Sequence, residues 1–297
     1  MLQPKSVKPM TKGIAVVATA AITLLIAALL YHVNQRNLVP LMRTHTLITS
    51  EQAWSTSHHR DVRVAVLSDL HLHDTEEDYA ALESLIGDVM AEKPDLVMLL
   101  GDYTQHPKDI THIGAHRTRL IATLEALAAI PTFAVLGNYE TWSELDRWRA
   151  EFDRSKITLL HNDVIETGAG GRPLCIRGLG DLFTQQFQFT PFPDHCKSLA
   201  KLSITHDPAG AFQPMMSGIV LAGHTHCGQI SLPWLGPLWV PSEAPKAATC
   251  GLYEDDERLL WVSSGVGTSI LPIRLGAPAQ WDLLTLRQLP AGNNGAH

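Results

Sequence analysis

Positive charge is scarce in this sequence of 297 residues. Lysine and arginine together number 23 against 30 acidic residues, which leaves a formal net charge of -7 with histidine neutral. Because a nucleic-acid-binding surface normally needs a basic face, this balance argues against a nucleic-acid partner. The chain also has no internal repeat and no low-complexity tract, which excludes a repeat array. Its length allows one large domain or two small ones, with enough residues for a sizeable buried core.

Cysteine is also rare, and its spacing excludes one class of site. The four cysteines lack the C-x-x-C spacing of a zinc ribbon. They stand at Cys175, Cys196, Cys227 and Cys250. The spacing alone leaves two disulfides and free buried thiols both open.

One long uncharged run lies near the N-terminus. Residues 14–30 read IAVVATAAITLLIAALL, and three further residues extend the run to position 33. This length matches the about 20 residues that a helix needs to cross a bilayer. Three lysines precede the run and two arginines follow at wider spacing, so the positive-inside rule places residues 1–13 in the cytoplasm. We therefore expect a single-pass protein of the inner membrane whose catalytic domain is extracytoplasmic, with a cytoplasmic domain as the alternative.

Two other interpretations of this run are open. A cleaved signal peptide would end in a small-x-small site, but the residues after Leu30 read YHVNQRN. A buried core helix is disfavoured because the run is apolar all round and adjoins a polar segment. Residues 34–61 form that segment, which we interpret as a linker.

From Val62 onward, strand patterns alternate with helix patterns. Apolar runs starting at Val62 (VRVAVL) and covering 95–100 and 132–136 predict three buried strands. Helices are predicted at 76–92, about 112–129 and 142–152, and this βαβαβ order predicts parallel strands with right-handed crossovers. The second half is poorer in helix, with short strands predicted at 157–160, 173–179, 202–205, 219–222, 229–232, 259–263 and 281–286. We expect one α/β domain over 62–290 and a flexible tail at 291–297.

Polar side chains follow these predicted strands where each strand ends. They are Asp69, His71, Asp102, Asn138, His206, His224 and His226. Three oxygen and four nitrogen donors suit Mn²⁺, Fe or Zn²⁺ better than a soft copper site or an all-oxygen Ca²⁺ site. Seven ligands exceed what one ion takes, and they suit two ions about 3.5–4 Å apart that share a bridging carboxylate. Each of these residues alone would be ordinary, so the prediction depends on their joint occurrence.

The order of these motifs resembles the calcineurin-like metallophosphoesterases. The motifs are D-x-H, G-D, G-N-x-[DE], a lone histidine and G-H-x-H, and the resemblance spans about residues 62–287. The extension GHTHCGQI and the segment SGVGTSILPIR at 264–274 are similar to the membrane-anchored bacterial branch. The resemblance implies a four-layer αββα sandwich of two mixed sheets flanked by helices.

The same resemblance implies a role for each ligand. Asp69, His71, Asp102 and His226 would hold one metal, and Asp102, Asn138, His206 and His224 the other. Asp102 would then bridge the two ions together with a water or hydroxide that attacks phosphorus in line.

One position departs from the family pattern. The third motif usually carries a histidine, taken as the general acid, where this chain has Tyr139. A phenol with a pKa near 10 is poorly matched to proton donation at neutral pH. We hypothesise that the natural leaving group is a good one, such as a phosphate released from a pyrophosphate. The alternative is that Tyr139 only packs beside Glu140 and that the enzyme is slow or silent.

The substrate is less defined by the sequence. The resemblance implies a phosphodiester, or a pyrophosphate such as that of a UDP-diacylglucosamine lipid precursor, but the latter would need a cytoplasmic active site. The Pro- and Trp-rich segment PWLGPLWVP at 233–241 would suit an apolar rim that receives an acyl chain, or ordinary loop packing. We expect a membrane-anchored, metal-dependent phosphohydrolase with a lipid-linked or nucleotide-linked substrate.

The sequence disfavours two rival functions. A non-catalytic, metal-binding membrane scaffold would be favoured by loss of a ligand, and none is missing. A protein phosphatase is disfavoured because the segment GDYTQH at 101–106 does not continue as G-D-x-x-D-R-G.

Overall fold

Two mixed six-stranded sheets form the centre of the structure, a computed structural model that describes residues 11–50, 52–54 and 60–288. The strands of the first sheet are, in spatial order, Leu41–Thr49 (β1), Gln280–Gln288 (β14), Val62–Leu67 (β2), Leu96–Leu99 (β3), Thr132–Ala134 (β4) and Thr158–Leu159 (β5). Those of the second are Gly251–Glu254 (β12), Arg258–Val262 (β13), Gly218–Ala222 (β9), Ala200–Ile204 (β8), Arg172–Gly178 (β7) and Asp163–Ala169 (β6). A small hairpin pairs Ser231–Leu232 (β10) with Gly236–Pro237 (β11).

Strand direction confirms the predicted parallel core. β2, β3, β4 and β5 run parallel, and β14 joins β2 antiparallel. In the second sheet, β7, β8, β9 and β13 are parallel, while β6 and β12 are antiparallel edge strands. Parallel neighbours bring their carboxyl ends to one edge, which is where an open α/β sheet places its ligand site.

The helices lie mainly against the first sheet. They are Thr11–Leu38 (α1), Glu76–Ala91 (α2), Ile113–Leu124 (α3), Asn138–Trp142 (α4) and Leu145–Phe152 (α5). Local signals explain α2, because the Thr75 hydroxyl accepts a hydrogen bond from the Asp78 amide at 3.1 Å and three acidic residues occupy its first turn. Its apolar face packs on the sheet through Leu82, Ile86 and Val89.

Alternation along the strands divides the core into layers. Val64 and Val66 of β2 point between the two sheets, where they meet Leu202 and Ile219 of the second sheet. Residues of the opposite face of the first sheet pack against α2, α3 and α5. The outer face of the second sheet is covered by the 3₁₀ helix Pro208–Phe212 and by loops. The two mixed sheets with flanking helices are therefore confirmed, whereas the fourth layer consists of short 3₁₀ turns and loops within the described residues.

The interpretation of residues 34–61 as a linker is wrong for its central part. α1 continues to Leu38, and β1 then pairs in parallel with β14 over nine residues. Leu47 and Trp54 are fully buried in the core between the sheets. The strand escapes sequence reasoning because it lies at the sheet edge, where most of its side chains face solvent and give a polar pattern.

The predicted membrane span at 14–33 lies within α1. No helix among the described residues is both long enough and apolar enough to cross a membrane. The span is therefore not confirmed. The tail at 291–297 and residues 1–10 of the predicted cytoplasmic segment lie outside the described residues.

We expect Leu47→Ala to lower the free energy of unfolding by about 2–5 kcal/mol, because it empties a fully buried site in the central core. The matched control is Ile48→Ala, whose side chain is 44% exposed on the other face of β1 and whose loss should change stability by less than about 1 kcal/mol. Urea denaturation of the full chain measures both. Equal, small effects would mean that β1 does not contribute to the core.

Candidate metal centre

All seven predicted ligands lie where the two sheets bring their strand ends together. Asp69 and His71 follow β2, Asp102 follows β3, and Asn138 starts α4 just after β4. Of the other three, His206 follows β8, and His224 and His226 follow β9. Each side chain belongs to a residue that is at most 4% exposed. Because Asn138 starts α4, helix begins before the predicted bounds of 142–152, and it is interrupted at Ser143 and Glu144 before α5.

The backbone at this edge is strained. Asp69, His71, Asp102, His224 and His226 all have φ between 47° and 67°, a left-handed region that non-glycine residues seldom adopt. Such residues persist only where the surrounding structure holds them, and they cluster at functional sites. Five of the seven predicted ligands thus share an unfavourable conformation that turns their side chains into one buried space.

Two glycines permit this crowding. Gly101 precedes Asp102 with φ of 91°, a value that favours glycine, and Gly137 lies so close to the Asp102 carboxylate that any Cβ there would collide with it. Gly101 combines left-handed backbone with crowding, since a Cβ there would lie 2.5 Å from the Gly137 amide nitrogen, whereas at Gly137 crowding alone excludes a side chain.

The first group of potential ligands consists of Asp69, His71 and His226. The Nε2 atoms of the two histidines lie 3.0 Å apart, and Asp69 Oδ1 lies 3.5 Å from His226 Nε2 and 3.9 Å from His71 Nε2. Burial lowers the pKa of both imidazoles, so both are neutral and able to bind a cation. Asp69 is fixed by the Ser68 hydroxyl at 2.6 Å and by the His224 amide at 3.0 Å.

The second group consists of Asp102, Asn138, His206 and His224. His206 Nε2 lies 3.4 Å from Asp102 Oδ2, 3.2 Å from Asn138 Oδ1 and 3.1 Å from His224 Nδ1. The outer ring nitrogens of the histidines each lie 2.7 Å from a backbone carbonyl, that of Leu100 for His206 and that of Pro241 for His224. A carbonyl partner makes the outer nitrogen the donor and leaves the inner nitrogen for the metal. Burial lowers the pKa of His206, but the adjacent Asp102 outweighs it and raises that pKa, so metal binding at His206 would release a proton.

Asp102 stands between the two groups. Its Oδ2 atom is 3.4 Å from His206 Nε2 and 3.7 Å from His71 Nε2, while its Oδ1 accepts a hydrogen bond from the Tyr139 amide at 2.9 Å. Burial would raise the pKa of the carboxyl, but the adjacent His206 outweighs it and holds that pKa well below its usual range. An ionised oxygen shared by two clusters of nitrogen donors is suited to bridge two cations.

The donors present fit two divalent ions. The first group and the trio Asp102, His206 and His224 each bring their ligand atoms within 4.8 Å of one another. In both groups ring nitrogens converge on a buried point with a carboxylate beside them, an arrangement that a cation would satisfy. Ligation by all seven residues stays a prediction.

Glu140 is a functional residue to which the sequence assigned no role. Its buried carboxylate accepts hydrogen bonds from the amides of Asp102 and Tyr103 at 2.8 Å and of Gly137 at 2.9 Å. Burial and the neighbouring Asp102 raise its pKa to about 7. The acidic residue of the third motif was the available signal, and its function is to join the end of β3 to the start of α4.

Arg274 has a similar bracing role. Its guanidinium is fully buried and donates to the carbonyls of Ser264 and Gly265 and to the Ser264 hydroxyl. One of its nitrogens lies 3.1 Å from His226 Nδ1. The segment at 264–274, which the sequence singled out only by resemblance, is thereby held against the first group of ligands.

Tyr139 lies beside the metal centre with its hydroxyl 2.7 Å from Ser269 Oγ. Burial raises the pKa of the phenol, and the Asp102 and Asp69 carboxylates raise it further. Its ring meets His71 edge to face, with centroids 4.7 Å apart. The tyrosine is therefore held in the site, although its raised pKa makes it a weak proton donor.

A cavity of about 430 Å³ opens beside the second group. One wall is aromatic and the other is largely aliphatic, and no lysine or arginine is among the described residues that line it. The aromatic wall contains His106, Tyr139, Trp142 and Phe183. No role was predicted for His106, Trp142 and Phe183, because only tertiary structure brings them together.

Both cysteine pairs are disulfides. Cys175 bonds to Cys196 and Cys227 bonds to Cys250, which decides the alternative that spacing left open. Cys227 directly follows His226, so the second disulfide ties the metal loop to the segment before β12.

Known proteins resemble this chain over the same region. A family model for calcineurin-like phosphoesterases matches residues 62–228. The chain is 30% identical over 234 residues to phosphodiesterase YaeI of Escherichia coli K12, which covers 75% of this chain and 82% of that protein.

Two further relatives cover similar lengths. Identity to the uncharacterized metallophosphoesterase YkuE of Bacillus subtilis is 27% over 242 residues, covering 76% of this chain and 79% of that protein. Identity to the UDP-2,3-diacylglucosamine pyrophosphatase LpxG of Chlamydia trachomatis is 25% over 317 residues, covering 86% and 93%.

We expect Glu140→Ala to lower the free energy of unfolding by about 3–5 kcal/mol, because it leaves three buried amides without an acceptor. Thermal denaturation of the full chain measures the change. Glu83→Ala, an exposed position in α2, is the control and should be near neutral. Similar melting temperatures for both variants would show that Glu140 does not brace the site.

Proposed function

The chain belongs to the calcineurin-like phosphoesterase family, and we propose that it is a two-metal hydrolase of a phosphodiester. The observation that carries this proposal is the pair of buried ligand groups that meet at Asp102. Asp69, His71, Asp102 and His226 would hold one divalent ion, and Asp102, Asn138, His206 and His224 the other. Mn²⁺, Fe and Zn²⁺ all suit this donor set. When bound, such ions neutralise phosphate charge and lower the pKa of a shared water.

The residues around the ligands would orient the substrate and exclude water. Glu140 and Arg274 fix the loops that carry Asp102 and His226, so the ligands need little rearrangement. Tyr139, with its hydroxyl toward Ser269, would donate a hydrogen bond to a substrate oxygen and would not transfer its proton. This role agrees with our hypothesis that the leaving group needs little protonation.

The lining of the cavity favours a diester over a pyrophosphate. Phosphates that carry several charges are commonly bound by arginine or lysine. Neither residue lines this cavity within the described part of the chain. A diester carries a single negative charge, which the two ions would balance without help.

The aliphatic wall supports a substrate with an apolar chain. Leu238, Ile270 and Leu271 line the cavity while each stays more than half exposed, and the ring of Trp239, which is also more than half exposed, adjoins them. A surface of this kind is typical of a site that binds an apolar ligand. The relative from Chlamydia trachomatis is named for a diacylated substrate, which agrees with an acyl chain here. We therefore infer that one ester group is lipid-like.

The two disulfides bear on location. Disulfides form and persist in oxidising compartments and are rare in the cytosol. Cys175 and Cys196 are fully buried and Cys227 adjoins a predicted metal ligand, so both bonds belong to the folded domain. We propose an extracytoplasmic catalytic domain, in agreement with the predicted orientation, and association with the inner membrane remains part of this proposal. A cytoplasmic sugar nucleotide would not reach such a site.

The first test is metal-dependent hydrolysis. The full chain, stripped of metal by a chelator, should hydrolyse bis(p-nitrophenyl) phosphate only after Mn²⁺, Zn²⁺ or Fe²⁺ is added. Asp102→Asn should lower kcat/KM by more than about 100-fold. Mutating a residue that only hydrogen-bonds to a metal ligand already lowers activity or metal affinity by about 10–100-fold, and Asp102 would be a ligand itself. Asp153→Asn, an exposed aspartate after α5, is the control. Binding of two metals without turnover would instead favour the scaffold.

The second test concerns the aliphatic wall. We expect Trp239→Ala to lower the ratio of kcat/KM for dodecyl p-nitrophenyl phosphate to that for the methyl ester by about tenfold, since it removes apolar contact area. The shared leaving group cancels general effects on chemistry. Leu252→Ala, an exposed leucine of β12, should leave the ratio unchanged. An unchanged ratio in Trp239→Ala would mean that the segment at 233–241 is ordinary loop packing.

A further inference from the structure

The aromatic wall of the cavity is continuous with the metal centre. Phe183 meets the ring of His224 with centroids 4.8 Å apart, and Trp142 meets Phe183 at 6.2 Å and Tyr139 at 5.3 Å. His106 lies against both Tyr139 and Trp142, at 5.6 Å and 5.9 Å. These side chains come from separate parts of the chain, so the fold and not local sequence assembles them.

Exposure distinguishes two members of this wall. Trp142 is 49% exposed and Phe183 is 44% exposed, whereas Tyr139 is only 4% exposed. Large aromatic rings bury 150–250 Å² when they are covered, so leaving two of them open beside a buried polar centre forgoes considerable stabilisation. Both rings line the cavity, as does the exposed ring of Trp239, but only Trp142 and Phe183 adjoin the aromatic side chains beside the metal centre. Their position next to His224 means that a group attached to a phosphate in the site would reach Phe183 first and Trp142 next.

The aromatic wall has few polar atoms, and some of them already have a hydrogen-bond partner. The Lys108 amide donates to His106 Nδ1 at 3.2 Å, which places the proton of the neutral ring on Nε2. The Tyr139 hydroxyl contacts Ser269 and is already assigned to an oxygen of the substrate phosphate. What remains is two exposed ring surfaces and two N–H donors, the His106 imidazole and the Trp142 indole, which is an environment for a flat ring with acceptors at its edge.

We propose that Trp142 and Phe183 form a stacking subsite for a planar aromatic ring on one ester group of the substrate. This inference rests on the proposed function and adds to it, because a diester has two substituents and the cavity has two unlike walls. The aliphatic wall takes the chain, and the aromatic wall takes the ring. Stacking requires ring faces to approach each other, so an aliphatic ring of equal size is bound less well.

The test compares S-(2,2,2-trifluoroethyl) phosphorothiolate diesters that differ only in the alcohol: methyl, cyclohexylmethyl and benzyl. Their leaving group is a thiol without a ring, so no second ring competes for the subsite. The wild-type full chain with metal should prefer the benzyl ester to the cyclohexylmethyl ester by about tenfold in kcat/KM, the lower range of ring stacking on an aromatic side chain. Trp142→Phe should keep most of this preference. Trp142→Leu keeps an apolar side chain without a ring, and it should reduce the preference to near unity.

Every outcome of this comparison supports or overturns the stacking subsite. Equal kcat/KM for benzyl and cyclohexylmethyl esters in the wild type, or an undiminished preference in Trp142→Leu, would overturn the subsite. Preference ratios are compared within each variant, so a general loss of activity cancels. Absence of turnover for all three esters would be a failure of the proposed function instead. In that case calorimetric Kd values for benzyl methyl phosphate and cyclohexylmethyl methyl phosphate test the subsite, and equal affinities overturn it.

Discussion

The hydrogen bonds from three backbone amides to the buried carboxylate of Glu140 hold the loops of the metal centre in fixed relative positions. They join the turn after β3 to the start of α4, and they place Asp102 and Asn138 on facing sides of one space. Without this brace the left-handed turn at Asp102 would lose much of the bonding that compensates its strain. The same logic recurs at Arg274, which holds the loop at 264–274 beside His226. Polar groups buried behind the ligands thus stabilise a conformation that the ligands themselves disfavour.

Much of the fold could be predicted from the sequence because its signals are local. α2 has a capping threonine, an acidic first turn and an apolar face, and its predicted bounds at 76–92 differ from the structure by one residue. The parallel strands ending in polar residues were recognisable for the same reason, and the seven predicted ligands do converge. β1 was missed because an edge strand with exposed polar residues has no distinctive pattern. The fourth layer was expected from resemblance alone, and short 3₁₀ turns give no sequence signal of their own.

The parts of the site that escaped prediction depend on tertiary contacts. Trp142 lies in α4, which follows β4 of the first sheet, and Phe183 follows β7 of the second sheet, so their rings meet only when the two sheets pack together. The disulfide partners could not be paired from spacing, since Cys175 and Cys227 each had more than one possible partner. Glu140 and Arg274 were visible as motif residues, but their function lies in which amides and carbonyls they reach. Such contacts exist only in the folded structure, so the sequence alone does not reveal them.

Charge balance links the metal centre to the kind of phosphate it can accept. The two carboxylates that would bind ions, Asp69 and Asp102, offset half of the charge of two divalent cations, and the histidines add none when neutral. A deprotonated nucleophile would take one further positive charge and leave one for the substrate. In a cavity without lysine or arginine, a singly charged diester therefore completes neutrality, whereas a doubly charged phosphate leaves an uncompensated charge in a low-dielectric space. The apolar walls reinforce this selection, because they weaken screening of any excess charge while offering favourable contact to uncharged substituents.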